Sequence, residues 1–464
     1  MANDIKNILI VGAGIAGNLL AKDIKNNYPQ YNVLGFIDDS TQKKRGVIGN
    51  INAIPRIIKV YNIHEIIVAI PSIDGKLLRR ILLTNINNRI PIKIVPRNQK
   101  IIRKEHVRYA EIKNIDFDDF LGRSFINVNV NKLSAFYSKK VVLITGGAGS
   151  IGSEIVRQLL DLGVKKIIIY DNSEFSIFSL HQELIQKNIS RSRCQFVIGS
   201  VRNESRLADI FKHTKPDVVF HAAAYKHVYL MEDNPLEAFT NNIIGTINTA
   251  NMSIENKTKN FTFISTDKVV NPKSIMGASK KIGELYINSV DAKSTKFNIV
   301  RFGNVINSNG SVLPLFEQQI ANKKPVTVTD KKMKRFFMSI REAANLVIES
   351  SAKNQGNKTY ILNMGELINI HEVALCLIRS KNLIPNLDIK ITIIGRKKGE
   401  KMKEQLYTNS EINNLNITKN PKIWELKEKD KTLLNIPEEI DKMKKMAQDN
   451  QEKKLKTKIL RLAQ

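Results

Sequence analysis

The sequence predicts an α/β protein with two doubly wound parallel sheets, one after the other along the chain. Short apolar stretches alternate with helical patterns up to about residue 310, which is the rhythm of βαβ units. A glycine-rich turn follows the first apolar stretch at Gly12–Gly17, and a second occurs at Gly146–Gly152. Each turn stands between a predicted strand and a predicted helix, so we expect two tandem Rossmann-like domains.

The first domain is predicted at residues 1–96, with a helix through Leu19–Ile24. Its strands are expected at Ile8–Val11, Asn32–Ile37 and Glu65–Ile70. Residues 97–138 have mixed charge and weak periodicity, so we expect them to connect the two domains.

The second domain is predicted at residues 139–410. Its six core strands are expected at Val141–Thr145, Lys166–Tyr170, Gln195–Ile198, Asp217–His221, Asn260–Ser265 and Asn298–Phe302. Beyond about residue 310 the rhythm loosens into a small mixed part, with a helix from Arg341 and a strand at Tyr360–Met364. Residues 411–464 are rich in Lys, Glu and Asp, which predicts an exposed, charged helical tail.

Composition limits the function classes. The 464 residues carry 73 Lys and Arg against 44 Asp and Glu, a formal net charge of +29. This excess is spread along the chain and is not gathered with aromatic residues, so we expect no nucleic-acid partner, although an anionic substrate would be attracted. The two cysteines predict neither disulfides nor a metal site. No apolar run approaches the ~20 residues of a membrane span, and no leader is recognisable. We therefore expect a cytoplasmic protein. We also expect it to form a homo-oligomer.

The second glycine loop predicts a nicotinamide dinucleotide site. Gly146, Gly149 and Gly152 allow a tight turn and close approach of a pyrophosphate to the N-terminus of the following helix. Asp171 ends the next strand, where a carboxylate accepts hydrogen bonds from the adenosine ribose and favours NAD over NADP. Arg202 could instead hold a 2′-phosphate, so NADP is the alternative.

The first glycine loop is a second fingerprint of the same kind. Gly12, Gly14 and Gly17 are followed by Asp38 and Asp39 after the next strand. Two interpretations are open: a second nucleotide site for NAD or a nucleotide-sugar effector, or a turn kept for packing. No catalytic residue accompanies this loop.

The chemistry is predicted at the end of the fifth strand of the second domain. Thr266, Asp267 and Lys268 follow that strand, and such strand ends lie beside the nicotinamide. Met276 and Lys280 come next, in a helical pattern that places both on one face. An acid and a base side by side suit an elimination, with Asp267 protonated through a raised pKa and Lys268 neutral through a lowered one.

Several segments together resemble the extended short-chain dehydrogenases/reductases, and most closely the UDP-N-acetylglucosamine 4,6-dehydratases of polysaccharide biosynthesis. They are TGGAGSIGSE (145–154), YDNSEFS (170–176), FHAAAYKHVYLMEDNPLEA (220–238), NNIIGT (241–246), FISTDKVVNPKSIMGASK (263–280), RFGNVINSNGSVLPLF (301–316), VTVTDKKMKRFFM (326–338) and GRKKGEKMKEQL (395–406). The first domain also resembles the accessory domain of longer members, which often carry transmembrane helices before it. The resemblance implies that the second domain has an extended short-chain dehydrogenase/reductase fold with a small C-terminal substrate-binding part.

The sequence departs from that family at three positions. Ser200 replaces an acidic residue that contacts adenine, and Lys398 replaces a proline. Met276 replaces the catalytic tyrosine, and a thioether cannot exchange a proton. One branch of the dehydratases carries this methionine, and it is expected to retain configuration at sugar C5.

The resemblance implies an NAD-dependent hydro-lyase acting on UDP-N-acetylglucosamine. Hydride leaves C4 for NAD, the resulting ketone acidifies C5–H, water is lost across C5 and C6, and the hydride returns at C6. Thr266 would hydrogen-bond the C4 oxygen, and Lys280 would hold the nicotinamide ribose. Asp267, through Thr266 or a water, is the expected acceptor of the C4 hydroxyl proton.

Further contacts are predicted from the same motifs. The cofactor-binding residues are Gly146, Gly149, Ser150, Ile151, Gly152, Asp171, Ser200, Val201, Ala222, Ala223 and Lys280. The substrate-binding residues are Lys226, Asn304, Ser311, Val312, Leu313, Thr327, Arg335 and Glu400, with His227 beside Lys226. Arg335 is expected on phosphate, because its planar fork suits that group.

Two other functions are compatible with the scaffold. One is a UDP-sugar epimerase, against which the missing tyrosine and the adjacent acid and base argue. The other is a non-catalytic NAD-sensing protein, in which Met276 would mark lost activity; the retained Asp267, Lys268 and Lys280 argue against it.

Overall fold

A computed structural model describes residues 5–40, 44–96, 107–121, 129–353, 356–427 and 435–464. The chain divides into two compact units, each built from several stretches of sequence. The first unit comprises Met1–Phe125, Gly310–Lys332 and Ile368–Gly395. The second comprises Ile126–Asn309, Met333–Leu367 and Arg396–Gln464. None of the helices in the described part of the chain is long and apolar enough to cross a membrane.

The first unit contains the predicted N-terminal sheet. The strands, in chain order, are β1 Lys6–Val11, β2 Tyr31–Ile37, β3 Val47–Gly49, β4 Ile63–Val68, β5 Ile92–Ile94 and β6 Lys113–Asn114. They lie in the order β3-β2-β1-β4-β5-β6, with β6 antiparallel to β5 and the others parallel. The accompanying helices are Ile15–Asn27, Ile54–Val60, Gly75–Thr84 and Phe117–Leu121.

Parts of the predicted connector, residues 97–138, belong to the two compact units. Residues 97–106 and 122–128 lie outside the described residues. Between them Lys113–Asn114 extends the first sheet, and the later helix Val130–Tyr137 buries Leu133 and Tyr137 in the core of the second unit. The N-terminal unit therefore continues beyond residue 96. These elements are short, which is why periodicity gave no signal for them.

Part of the predicted substrate-binding segment also belongs to the first unit, which corrects the boundary 139–410. It contains the helices Val312–Ala321 and Ile370–Ser380, and the parallel strands β14 Val326–Val328 and β19 Ile391–Ile393. Arg379 is fully buried, and its guanidinium donates to Asn85 O at 2.7 Å, to Asn88 Oδ1 at 2.9 Å and to Ile90 O. These bonds join residues nearly 300 positions apart, which no local pattern can reveal.

The second unit is built on a nine-stranded sheet. Its strands in chain order are β7 Val141–Thr145, β8 Lys166–Asp171, β9 Cys194–Ile198, β10 Val218–His221, β11 Asn260–Ile264, β12 Lys296–Arg301, β17 Lys358–Leu362, β20 Leu415–Ile417 and β21 Ile423–Leu426. They lie in the order β20-β21-β17-β12-β11-β10-β7-β8-β9. The six predicted core strands are parallel and in doubly wound order, which confirms the predicted fold class.

Helices cover both faces of this sheet, over two apolar clusters. The longer ones are Ser150–Asp161, Glu174–Gln186, Glu204–Thr214, Gly245–Glu255, Ile275–Ser289, Ile340–Ala352, Ile436–Gln448 and Glu452–Leu462. Shorter helices are Val228–Asp233, Pro235–Glu237, the π-helical turn Ala238–Ile244 and Asn409–Ile412. The remaining short strands of the second unit are β13 Asn304–Val305, β15 Lys334–Arg335 and β16 Phe337–Met338, whereas β18 Ile368–Asn369 belongs to the first unit.

The predicted exposed tail is packed, which is a second correction. Strand β21 extends the sheet antiparallel to β17, and β20 pairs antiparallel with β21. The last two helices bury apolar side chains at helical spacing in the same cluster as Met276. These side chains are Ile436, Ile440, Met443, Leu455, Ile459 and Leu462. The abundant charges occupy the opposite faces of two amphipathic helices, so charge content alone gave the wrong prediction.

Candidate active site

The glycine loop after β7 leaves room for a phosphate group. A Cβ at Gly152 would lie 2.1 Å from Gly146 O, so the helix passes directly over the loop. Gly149 begins the helix Ser150–Asp161 without a side-chain cap, and a Cβ there would meet only Gly146 O, at 3.2 Å. The space in front of the helix N-terminus is open and faces uncapped backbone N–H groups. This arrangement fits the pyrophosphate of a dinucleotide.

Asp171 lies at the end of β8, where a carboxylate that binds the adenosine ribose is expected. Its Oδ2 accepts from Ala148 N at 3.0 Å, and its Oδ1 accepts from Ser173 N at 3.0 Å. Arg202 donates to the Tyr225 hydroxyl at 2.9 Å and forms an ion pair with Glu237. Because a carboxylate already neutralises Arg202, the geometry favours an unphosphorylated ribose, as in NAD.

The other predicted cofactor residues follow the neighbouring strands. Ser200 and Val201 come after β9, and the Tyr170 hydroxyl donates to Ser200 O at 2.9 Å. Ala222 and Ala223 come after β10, and Ala222 N donates to Thr145 O at 2.9 Å. These segments and the glycine loop lie at the same edge of the sheet, since the carboxyl ends of parallel strands share one edge.

His221 is a residue that sequence reasoning missed. Its Nδ1 lies 2.7 Å from Thr145 Oγ1, and its Nε2 lies 2.9 Å from Thr246 Oγ1. Complete burial, together with the charge of Lys280, holds the pKa of His221 well below its usual value. The neutral ring of His221, which lies on β10, thus connects the end of β7, just before the glycine loop, to the helix Gly245–Glu255. The alternation of β10 predicts a buried side chain there, but not its partners.

The residues after β11 form a tight polar cluster. Lys268 Nζ donates to Asp267 Oδ1 at 2.9 Å and to Asn304 Oδ1 at 2.9 Å. The Thr266 hydroxyl donates to the same Asp267 Oδ1 at 3.0 Å. Asp267 Oδ2 is buried and has no hydrogen-bond partner among the described residues. A buried carboxylate oxygen without a partner is costly unless a ligand or a proton satisfies it.

Close packing surrounds this carboxylate. The Asp267 side chain is 1% exposed, against 17% for Lys268. A Cβ at Gly303 would lie 2.9 Å from Asp267 Oδ2 and 2.9 Å from Phe336 Cβ. Only glycine therefore fits at position 303 without displacing the acid.

The helix Ile275–Ser289 presents the predicted pair Met276 and Lys280, both 4% exposed. Burial lowers the pKa of Lys280 to about 7, while the carboxylate of Glu284 acts in the opposite direction. The ammonium also lies 3.8 Å from the centroid of the Phe263 ring, a contact that favours the charged form. Met276 and Lys280 therefore lie one turn apart on a helix, as the sequence pattern predicts, and their roles stay predictions.

The predicted substrate residues are divided between the two units. Asn304, Arg335 and Glu400 belong to the second unit, and Ser311, Val312, Leu313 and Thr327 to the first. Arg335 is buried, and its Nη1 donates to Lys334 O at 2.9 Å. Glu400 accepts from Lys397 N at 3.0 Å, so its carboxylate closes a local turn.

In the first unit, Ser311 precedes the helix Val312–Ala321. Its hydroxyl oxygen is buried and has no hydrogen-bond partner among the described residues. Thr327 exchanges hydrogen bonds with Gln319, at 2.9 and 3.1 Å.

Two further lysines, Lys226 and Lys401, differ in their exposure and in their contacts with the segment that follows Lys268. Lys226, a predicted sugar contact, is exposed, and His227 precedes the helix Val228–Asp233. Lys401, which the sequence analysis does not predict, donates to Val270 O at 2.6 Å, two residues after Lys268 in the chain. Burial lowers the pKa of Lys401, although Glu404 and Asp267 act against this. Lys401 follows Glu400 directly in the segment GRKKGEKMKEQL, so that segment is the sequence signal for both residues.

The first glycine loop repeats part of this geometry. Asp38 accepts from Ala13 N through Oδ2 and from Ser40 N through Oδ1, both at 2.9 Å. Asp171 accepts two backbone N–H groups in the same way, from Ala148 and Ser173. The difference is an ion pair between Asp38 and Lys44, at 2.9 Å. The described residues contain no group of three or more metal-ligating side chains.

Comparison with known proteins assigns the family. A model described as polysaccharide biosynthesis protein matches residues 142–428. The chain belongs to this family. It is 39% identical to the capsular polysaccharide biosynthesis protein CapD of Staphylococcus aureus over 418 residues, which cover 88% of this chain and 69% of CapD.

Enzymes with two different names are similar at nearly equal identity. A UDP-N-acetylglucosamine 4,6-dehydratase (inverting) of Campylobacter jejuni is 35% identical, over 58% of this chain and 77% of its own length. A UDP-glucose 4-epimerase of Rickettsia bellii is 36% identical, over 59% and 79%. Among solved structures, Pen from Bacillus thuringiensis is 36% identical with a TM-score of 0.58, covering 63% of this chain and 90% of Pen. Overall identity therefore does not separate dehydration from epimerisation.

Proposed function

We propose that this protein is an NAD-dependent 4,6-dehydratase of a UDP-N-acetylhexosamine, with UDP-N-acetylglucosamine as the first candidate. The product would be the 4-keto-6-deoxy sugar, used for surface polysaccharide or glycan synthesis. The observation that carries the proposal is the contact between Lys268 Nζ and Asp267 Oδ1, at 2.9 Å, at the end of β11. The fold and the glycine loop are shared with other activities, whereas an acid and a base in direct contact meet the specific need of an elimination.

The cofactor would be held by the loop Gly146–Gly152, by Asp171 at the ribose and by Lys280 at the nicotinamide end. When bound, NAD supplies the oxidant that takes a hydride from sugar C4 and returns it at C6. The remaining work falls to side chains of this protein. They bind the sugar, remove the proton from C5 and protonate the departing C6 hydroxyl.

Asp267 and Lys268 can supply both proton transfers. As the hydride leaves C4, the C4 hydroxyl proton would pass through Thr266 to the Asp267 carboxylate and give the neutral acid. Lys268, 2.9 Å from Asp267 and acting as the neutral amine, would then remove the C5 proton, while the acid of Asp267 protonates the C6 hydroxyl, which leaves as water. Lys268 would return its proton to C5 as the hydride is returned at C6. Thr266, which contacts Asp267 Oδ1, connects the acid to the C4 oxygen.

Two residues of the second unit are proposed to contact the substrate, Asn304 and Arg335. In the second unit Asn304 orients Lys268 toward the sugar, and Arg335 pairs with phosphate. In the first unit, taken by itself, the Ser311 hydroxyl stands at the N-terminus of a ten-residue helix and has no hydrogen-bond partner among the described residues, an arrangement that suits an anionic group such as a phosphate. Retention of configuration at C5 is part of the proposal, although the similar Campylobacter enzyme is named as inverting.

The epimerase alternative requires a group that exchanges the C4 proton in the place of the missing tyrosine. Met276 occupies that place, and its thioether cannot do so. Epimerisation also has no use for an acid directed at C6. The Asp267–Lys268 pair therefore favours dehydration even though the epimerase of Rickettsia is equally similar.

Mass spectrometry and NMR test the proposal directly. The purified protein is incubated with NAD and UDP-N-acetylglucosamine; loss of one water with a 4-keto signal is expected. An isomer of unchanged mass would indicate an epimerase, and no turnover with retained NAD binding would indicate a sensor. The C5 configuration of the product decides the stereochemical part.

A variant pair assigns the base. We expect Lys268→Ala to lower turnover by at least about 100-fold, the usual scale of a lost acid–base group, while NAD still binds. Lys273→Ala is the matched control, because this lysine is exposed on the segment that follows. Normal turnover in Lys268→Ala would remove that residue from the mechanism.

A further inference from the structure

A buried carboxylate outside the reacting cluster joins the three segments that carry it. Glu284 is 1% exposed, and its Oε1 accepts from the Ser265 hydroxyl at 2.6 Å. Arg301, also buried, donates through Nε to Oε1 at 2.8 Å and through Nη2 to Oε2 at 2.7 Å. Lys281 Nζ lies 3.8 Å from Oε2. Arg301 continues the network to Glu411, whose Oε1 accepts from Nη1 at 2.9 Å.

Each partner of Glu284 adjoins a proposed reaction residue. Ser265 directly precedes Thr266, Asp267 and Lys268. Arg301 ends β12, three residues before Asn304, which accepts from Lys268. Glu284 itself lies one helical turn beyond Lys280 on the helix Ile275–Ser289. One carboxylate thus connects the end of β11, the end of β12 and the helix between them in sequence.

Stability alone does not account for this network. Removing two charges from water is costly, and replacement of a buried ion pair by apolar side chains is often neutral or stabilising. A bidentate pair, however, fixes both distance and orientation between the elements that carry it. Elimination depends on placing an acid and a base within fractions of an ångström of productive geometry.

We propose that Glu284, held by Arg301 and Ser265, is a positioning residue that sets the place of Thr266–Lys268 relative to the helix bearing Met276 and Lys280. This inference rests on the proposed function for its catalytic consequence, but its geometric content does not. Glu284 also balances charge in the neighbourhood of Lys280. Burial lowers the pKa of Lys280 and the Glu284 carboxylate opposes this, while His221 on β10 stays neutral.

A double variant separates positioning from folding. Removing one partner alone would leave an unpaired buried charge, so Glu284→Leu and Arg301→Met are introduced together. The control for loss of a bidentate pair is Arg157 with Glu183, which has the same geometry at 2.7 and 2.7 Å, is 30% and 32% exposed, and joins the helices Ser150–Asp161 and Glu174–Gln186, neither of which carries a proposed acid or base. Its double variant is Arg157→Met with Glu183→Leu.

Three measurements are made on wild type and on both double variants: thermal unfolding, NAD binding, and steady-state turnover of UDP-N-acetylglucosamine. For the Glu284/Arg301 variant we expect a folded protein that binds NAD within about threefold of wild type. Its kcat should fall at least about 100-fold with little change in KM, the effect of misplaced catalytic groups. The control should keep its kcat. Turnover within threefold of wild type in the Glu284/Arg301 variant would overturn the proposal, as would an equal loss in the control.

Hydrogen exchange distinguishes this proposal from the proposed function. If wild type does not dehydrate the sugar, the proposed function fails, and exchange at the amides of residues 265–270 still tests the geometry. Faster exchange there in the Glu284/Arg301 variant, but not in the control, would support positioning. Unchanged exchange would refute it. If the double variant unfolds, Glu284→Gln is examined with the same measurements and the same criteria, because it keeps the shape and one acceptor and leaves Arg301 paired with Glu411.

Discussion

Replacement of Gly149 by alanine tests the proposed cofactor loop with little disturbance of the fold. Gly149 has extended backbone angles that any residue adopts, φ −72° and ψ 174°. The added Cβ would meet only Gly146 O, at 3.2 Å, so a shift of a few tenths of an ångström relieves the contact. We expect the free energy of unfolding to change by less than about 1 kcal/mol.

The same methyl group should strongly weaken NAD binding. It would occupy the open space before the uncapped N–H groups of the helix, where the pyrophosphate needs close approach. A loss of about 2–3 kcal/mol of binding free energy corresponds to a Kd raised about 30- to 150-fold. Gly152→Ala should behave differently: its Cβ would lie 2.1 Å from Gly146 O, and such overpacking costs about 1–3 kcal/mol of stability.

Isothermal titration with NAD and thermal unfolding are measured on wild type, Gly149→Ala and Gly152→Ala, with the exposed Lys165→Ala as a control. A folded Gly149→Ala protein that binds NAD within threefold of wild type would refute the argument. The stoichiometry of the wild-type titration also tests Gly12, Gly14, Gly17 and Asp38 as a second nucleotide site. One equivalent of NAD per chain would exclude NAD as the ligand there, and two would support it.

Two further predictions concern stability. Ile459→Ala, at a fully buried position of the last helix, should lower the free energy of unfolding by about 2–5 kcal/mol and lower the thermal midpoint. The control Lys454→Ala, at an exposed position of the same helix, should leave the midpoint unchanged. Equal midpoints for the two variants would mean that the C-terminal helices do not pack in the core of the second unit. In the absence of NAD, the folded-state pKa of Lys280 lies at about 7, below its usual 10.5. Between these values the unfolded chain binds more protons, so wild-type stability rises with pH. The stability advantage of Lys280→Met should therefore shrink by about 2 kcal/mol from pH 7 to pH 9 in denaturant titrations, and a constant difference would contradict the lowered pKa.

Much of the fold was predictable because its signals are local. Apolar strands of four to six residues, glycine turns and the spacing from Met276 to Lys280 are all contained within short stretches of sequence. The doubly wound order of β7 to β12 follows from these βαβ units, since right-handed crossovers leave few arrangements. Asp267 and Lys268 are neighbours in the chain, so their contact also required little tertiary information.

The remaining features depend on residues that are far apart in sequence. Arg379 holds the turn at Asn85–Ile90, and this pairing assigns a late segment to the first unit. The last two helices read as a charged tail until their apolar faces are seen against the helix of Met276. Neither Arg379 nor these faces carries a local signal of its partner.

The sequence by itself determined the two glycine loops, the strand-end cluster Thr266–Lys268 and the kind of chemistry that an adjacent acid and base allow. Only the tertiary structure decided that Asp267 Oδ2 is buried with no hydrogen-bond partner in the described part of the chain, and that Asn304 accepts a hydrogen bond from Lys268. It also revealed that Glu284 joins Ser265 to Arg301. The physical reason is that residue types and spacing specify which groups a strand end presents. Burial and orientation of those groups depend on side chains that reach the same point from other elements.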